Sequence, residues 1–112
     1  MEIKLRENKN ITILDITGEI DLQHANELRN MIKDLSDKGK INILINFKNA
    51  PYIDSSGIGV LVSKLNFLRK LKGDLKIMNL NDNVKRVFEF SKLDTLFQIF
   101  SNEENAIKTW QS

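Results

Sequence analysis

The sequence contains no cysteine and a single proline, Pro51. Without cysteine the chain can form no disulfide, no thiolate nucleophile and no zinc–thiolate site. A protein without disulfides fits a reducing compartment, so we expect a cytoplasmic protein. The proline marks one loop, directly before the segment on which the functional interpretation depends.

Long apolar runs and clustered charge are also missing. No stretch approaches the ~18 apolar residues that a membrane-spanning helix requires, and the first residues, "MEIKLRENKN", lack the apolar core of a signal peptide. The formal net charge is +2 and the lysines are scattered. A nucleic-acid-binding protein would concentrate its basic residues on one face. We therefore expect no membrane span and no direct contact with nucleic acid.

What is present is an ordinary globular balance, with 41% hydrophobic and 29% charged residues over 112 positions. This length and composition predict a single domain, residues 1–112, that buries its own core. We see no repeat, low-complexity tract or linker.

Hydrophobic periodicity predicts the element order β-β-α-β-α-β-α-β-α. The first two strands, "EIKLRE" and "ITILDIT", form a hairpin, and the clearest later strand is "INILINF". Asp21 is expected to cap the first helix and Gly39 to follow its end. The second helix is predicted from about Ser56 to Lys72, ended by Gly73. Shorter segments complete the order, namely a strand at "LKIMNL", a helix at "NDNVKRVFEFSK", a strand at "LFQIF" and a last helix with a Ser101–Glu104 capping box.

This order predicts an α/β fold: a single small domain with a mixed, mostly parallel sheet of four to five strands and about four helices. Right-handed crossovers make the later strands parallel, with the first strand antiparallel at one side. The segment "YIDSSGIGVLVS" follows the strand "INILINF". In open α/β sheets, binding sites form at the carboxyl ends of the strands.

The residue types in this segment argue against catalysis. A nucleophile elbow needs glycine two residues before and after the serine, and Ser55 lacks the first. The single histidine, His24, is the only candidate base for a triad. "SSGIG" lacks the lysine of a phosphate-binding loop and the third glycine of a dinucleotide fingerprint. We expect no enzyme activity and no cofactor.

Structural roles account for several of the remaining residues. The carboxylates of Glu19, Asp21 and Asp54 lack the spacing of metal ligands, so no metal site is predicted. A glycine in a helix can allow close packing against the sheet. We favour that role for Gly59, whereas for Gly57 packing and function both stay open.

The two adjacent serines suggest a modification site. One of them is expected to be the N-cap of the second helix. The other hydroxyl then stays free on the surface. A phosphate there would face free N–H groups and the positive end of the helix dipole, so the fold would tolerate it. A partner pressed against the same surface would not. This pattern is typical of a switch that changes binding and leaves the fold intact.

The chain resembles the STAS domain family, and within it the stand-alone bacterial anti-sigma factor antagonists. The resemblance covers nearly the whole sequence. It is carried by "ITGEID" at 16–21, "ILINFKNAPYIDSSGIGVL" at 43–61 and "VKRVFEFSKLDTLFQIF" at 84–100. The central "DSSGIG" is the most specific of these stretches, and the other two match in order and spacing.

The resemblance implies a role in transcription regulation by partner switching. Ser55 corresponds to the family's phosphorylated serine, and Asp21 to an acidic residue that helps to form the surface met by the kinase. The unphosphorylated protein would bind an anti-sigma factor and release a sigma factor. The anti-sigma factor is itself an ATP-dependent serine kinase that phosphorylates the antagonist, and a serine phosphatase resets the cycle.

We expect the partner surface to be formed by residues around Ser55, which are Asp21, Asp54, Ser56, Gly57, Ile58 and Gly59. A core role for Ile58 is an equally good interpretation. The free protein is expected to be a monomer or a weak dimer. The alternative function is a non-phosphorylated structural STAS subunit of a larger regulatory or lipid-transport assembly.

Overall fold

The computed structural model describes residues 1–110 and confirms the predicted element order, with one short 3₁₀ helix in addition. Residues 111–112 of the predicted domain lie outside the described residues. The strands are β1 (Glu2–Asn8), β2 (Ile11–Thr17), β3 (Asn42–Asn49), β4 (Asp74–Met78) and β5 (Ile99–Phe100). The helices are α1 (Leu22–Asp37), α2 (Ser55–Lys70), α3 (Asp82–Phe90) and α4 (Glu103–Lys108), with the 3₁₀ helix at Leu93–Thr95.

The five strands form one mixed sheet in the order β1-β2-β3-β4-β5. β1 is antiparallel to β2, and every later pair is parallel, as expected. Lys9 and Asn10 join β1 to β2 with φ angles of 51° and 70°. Two consecutive positive φ angles are what a two-residue type I′ hairpin requires, and this turn matches the twist of the strands. The predicted α/β fold is confirmed.

Alternation along the strands divides the core between the two faces of the sheet. One face packs against α1, α2 and α3, with fully buried contributions from Ile45, Phe47, Leu28, Leu61 and Phe88 among others. The opposite face carries a smaller cluster beneath α4, formed by Ile11, Ile13, Leu44, Met78, Ala106 and Ile107. Because β3 is covered on both sides, its consecutive apolar residues Ile43, Leu44 and Ile45 are all buried.

A polar network attaches α4 to the hairpin on this second face. The Arg6 Nη2 atom donates to Asp15 Oδ1 at 3.0 Å and to Glu103 Oε1 at 2.8 Å. Asn8 also donates to Glu103, and Asn46 donates to Asp15. The hydrogen bonds from Arg6 are the main cause that lowers the pKa of both Asp15 and Glu103. Both carboxylates are therefore stabilised in their charged forms.

The chain's single tryptophan covers a buried lysine at the end of the described chain. Lys76 is only 4% exposed, and its Nζ lies 4.1 Å from the centroid of the Trp110 ring. The same Nζ donates to Thr109 Oγ1, and Trp110 Nε1 donates to Asn42 Oδ1 at 3.1 Å. Burial lowers the pKa of Lys76. The cation thus has both an aromatic face and a hydroxyl as partners.

Two local expectations were wrong. The Ser101–Glu104 capping box does not form, because the N-cap of α4 is Asn102, whose side chain accepts from the Asn105 N–H at 2.9 Å. Gly73 does not supply the left-handed residue after α2. Lys72 does so, with φ 68°, and α2 itself ends at Lys70. Gly73 is needed for another reason, since a Cβ there would lie 2.1 Å from the Ile41 carbonyl oxygen.

Candidate functional site

Ser55 is the first residue of α2, at the carboxyl end of β3, and it is exposed. The residue that caps the helix is Asp54, whose Oδ1 atom accepts from the N–H groups of Ser56 at 2.9 Å and Gly57 at 3.1 Å. The expectation that a serine caps this helix was therefore wrong. A carboxylate one residue earlier, on extended backbone, reaches the same free N–H groups. Neither serine hydroxyl is needed for the cap.

Asp54 also contacts the beginning of α1. Its second carboxylate oxygen, Oδ2, accepts from the Leu22 N–H at 3.1 Å. Leu22 is the first residue of α1, as Ser55 is of α2. One side chain therefore satisfies N–H groups at the ends of two helices. The two helices begin side by side at the same edge of the sheet.

Asp21 caps α1, as predicted. Its Oδ1 atom accepts from the His24 N–H at 3.1 Å and lies 2.7 Å from His24 Nδ1. Desolvation acts to raise the pKa of Asp21, but the hydrogen bonds from the His24 side chain and backbone outweigh it, so the pKa is lowered. Asp21 and Asp54 thus lie at adjacent helix N-termini, as expected from their places at one sheet edge.

Backbone contacts hold the two loops before these helices together. Ile20 and Ile53 form a parallel bridge, in which Ile20 N–H donates to Tyr52 O at 3.0 Å and Asp54 N–H donates to Ile20 O at 3.1 Å. Gly57 fits closely over this bridge. A Cβ at position 57 would lie 2.7 Å from Ile53 Cγ1 and 2.9 Å from Ile20 O. The close approach explains why glycine occupies this position.

Packing falls to Gly57, for which packing and function were both open, and not to Gly59, for which packing was favoured. Gly57 is buried and serves packing, and its contact with a partner stays a prediction. Gly59 is exposed, and a Cβ there would meet no atom within 4 Å. The packing role favoured for Gly59 was wrong. Its place within the predicted partner surface stays a prediction.

The site presents apolar side chains that the sequence analysis missed. Leu22 is 76% exposed and Tyr52 is 48% exposed. Ile58 is half-buried and packs partly against the core, so its two interpretations coexist. Leu22 is the first residue of α1 and lies to one side of the buried stripe of that helix. At a helix end, hydrophobic periodicity does not show whether a leucine is buried or exposed. Tyr52 directly follows the proline, which indicates a loop and gives no information about burial.

Ser55 is exposed at the surface. A cavity of about 830 Å³ lies elsewhere, lined among others by Lys48, Asn79, Lys85 and Phe100. Within residues 1–110, no group of three or more histidine or acidic side chains could hold a metal ion. None of the helices in that range is long and apolar enough to cross a membrane. The geometry suits contact with a macromolecular surface.

The chain belongs to the STAS domain family, whose model matches residues 2–106. It is 30% identical over 108 residues to the anti-sigma-B factor antagonist of Bacillus subtilis, covering 96% of this chain and 98% of that one. The fold matches an anti-sigma factor antagonist from Mycobacterium paratuberculosis with a TM-score of 0.88 at 17% identity, covering 99% and 94% of the two chains. It also matches the phosphorylated form of the Bacillus cell fate determinant SpoIIAA, with a TM-score of 0.75 at 24% identity over 98% and 100%. At these identities the two structures establish the fold.

Proposed function

We propose that this protein is an anti-sigma factor antagonist controlled by phosphorylation of Ser55. In its unphosphorylated form it binds an anti-sigma factor that is also a serine kinase, and the bound sigma factor is released. Phosphorylation of Ser55 ends the complex, and a phosphatase restores the binding form. The protein acts as a binding module and carries out no chemistry of its own.

The observation that carries this proposal is the exposed Ser55 hydroxyl at the first position of α2. Asp54 provides the cap, so the hydroxyl has no part in holding the helix. A kinase could modify it without first opening the fold. Leu22 at the start of α1 and Tyr52 in the loop before α2 have exposed side chains that offer apolar contact area. Tyrosine is enriched among the residues that dominate protein interfaces, and burial of an exposed leucine favours association through the hydrophobic effect.

The physical effect of the phosphate supports a switch in binding. A phosphoserine carries about −1.5 to −2 charge at pH 7. At a helix N-terminus the dipole favours that charge, so the folded protein can accept it. In a complex the same charge would be removed from water, where without a partner it costs several kcal/mol. The relatives named as anti-sigma-B factor antagonists and the existence of a phosphorylated SpoIIAA agree with this mechanism.

The first test compares Ser55→Ala with Ser56→Ala. Each protein is incubated with the anti-sigma factor kinase of the same organism and ATP, and its intact mass is measured. We expect one phosphate on wild type and on Ser56→Ala, and none on Ser55→Ala. Because Asp54 caps the helix, both substitutions should change the free energy of unfolding by less than about 0.5 kcal/mol. Phosphate on Ser55→Ala would show that the assigned site is wrong.

A further inference from the structure

The proposed partner surface is built from the beginnings of two helices, and some contact must hold these two segments in a fixed relative position. Leu22 begins α1, and Ser55 begins α2, 33 positions later in the sequence. The Ile20–Ile53 bridge aligns the backbones before the helices. The bridge pairs only the residues before the helices and does not include Leu22. It therefore does not fix the direction in which the Leu22 side chain points.

Asp54 provides the missing connection. Its Oδ1 atom accepts two N–H groups of α2, and its Oδ2 atom accepts the Leu22 N–H of α1 at 3.1 Å. A single N-cap interaction would need only one of these oxygens. The second oxygen does nothing for α2 and serves only to hold the first residue of α1. Asp54 therefore has a bridging role in addition to its capping role.

We propose that Asp54 is a positioning residue, which joins the first turns of α1 and α2 and so places the exposed Leu22 side chain beside Ser55 as an apolar anchor for the anti-sigma partner. This inference rests on the proposed function and assigns to Asp54 an indirect role. Three of the roughly four acceptor positions of its carboxylate are taken by amide N–H groups, so most of its hydrogen-bonding capacity serves the two helices. Leu22, at 76% exposure, is the side chain through which it acts.

The substitution Asp54→Asn separates the two roles. The asparagine keeps one oxygen, which can still cap α2, but replaces the other by an NH₂ group that cannot accept from the Leu22 N–H. In the isolated protein, we expect amide hydrogen exchange at Leu22 to become about tenfold faster while Ser56 and Gly57 keep their protection. Asp21→Asn is the matched control, because Asp21 accepts only from the adjacent turn at His24, and it should leave Leu22 unchanged.

Binding to the anti-sigma factor kinase then tests whether the bridge positions Leu22. We expect Asp54→Asn and Leu22→Ala each to weaken binding by about tenfold, and the double variant to bind no more weakly than Leu22→Ala alone. If Asp54 contacted the partner itself, the two losses would multiply in the double variant, and the proposal would be wrong. Unchanged exchange at Leu22 in Asp54→Asn would also overturn it. If wild type bound no such kinase, the proposed function would fail, whereas the exchange experiment would still report on the bridge.

Discussion

At the scale of single residues, the same amino acid has different roles at positions two apart. Gly57 packs over Ile20 and Ile53, where a Cβ would come within 2.7–2.9 Å of their atoms. Gly59 faces open space in the same helix. Spacing in the sequence does not distinguish them, because the distinction depends on how closely the helix approaches a bridge between two distant loops.

The two glycines therefore predict opposite effects of alanine. Gly57→Ala should lower the free energy of unfolding by about 1–3 kcal/mol, because the new methyl group overpacks a site with backbone on one side. Gly59→Ala should raise it by roughly 0.5–1 kcal/mol, because alanine loses less conformational entropy in a helix than glycine does. Urea denaturation measures both values. A destabilised Gly59→Ala with an unaffected Gly57→Ala would mean that the packing of α2 is described incorrectly.

Some of the site could be predicted from the sequence, and the limits have physical causes. Asp21 as a cap and an exposed serine at the start of α2 were both correct. The capping residue of α2 was predicted wrongly, because "DSS" offers three consecutive side chains that are all good N-caps. Only the backbone conformation selects Asp54. The contact from Asp54 to Leu22 joins residues 32 positions apart. No local pattern encodes such a contact.

At the scale of elements, α4 is held by long-range polar contacts as well as by its apolar residues. Arg6 in β1 and Glu103 in α4 are 97 positions apart, yet they form an ion pair. Sequence patterns correctly predicted that a final helix exists, since its apolar residues are local. They could not predict its N-cap or its partner in the hairpin, because these depend on how the chain folds back over the sheet.

This attachment predicts a pH-dependent stability. The folded-state pKa values of Asp15 and Glu103 are lowered by Arg6, so their stabilisation is present above the unfolded values of about 4 and is lost as the pH falls through the folded values. At pH 7, Arg6→Met should lower the free energy of unfolding by about 1–2 kcal/mol. This loss lies between those typical of exposed and of buried ion pairs. The difference from wild type should shrink toward about pH 3.

Urea denaturation across this pH range provides the measurement. Lys33→Met is the matched control, because the Lys33–Asp37 pair has side chains that are 61% and 60% exposed. Lys33→Met should change the free energy of unfolding by less than about 0.5 kcal/mol at every pH. A difference between wild type and Arg6→Met that stays constant with pH would show that Arg6 contributes through its packing and not through the two carboxylates.

At the scale of the whole molecule, the features around Ser55 predict that a negative charge there changes binding and leaves the fold in place. The Asp54 carboxylate already accepts the first N–H groups of α2, exposed Ser55 lies beside it, and the apolar residues of α2 face the core. The sequence order and periodicity were sufficient to predict this architecture, because each strand and helix carries its own pattern. The exposed neighbours of Ser55 could be recognised only in three dimensions.

Ser55→Asp should therefore melt close to the temperature of wild type, because the roughly 0.3–1 kcal/mol that an anion gains at a helix N-terminus is opposed by repulsion from the adjacent Asp54 carboxylate. Binding to the anti-sigma factor kinase should weaken by about tenfold or more, since an unpaired charge would be buried in the complex. Ser55→Asn is the matched neutral control and should bind more tightly than Ser55→Asp. If Ser55→Asp or the phosphoprotein rearranges the backbone, as seen by NMR, then the switch works through conformation.

The position of Trp110 has a practical consequence for observing this molecule. Its indole ring lies over the buried Lys76 and is hydrogen-bonded to Asn42 at the start of β3. As the chain contains one tryptophan, its intrinsic fluorescence is a spectroscopic probe confined to one end of the chain. Detachment of the final helix would change this emission while the circular dichroism of the remaining helices persists. The fluorescence of Trp110 therefore distinguishes fraying of the C-terminal segment from global unfolding.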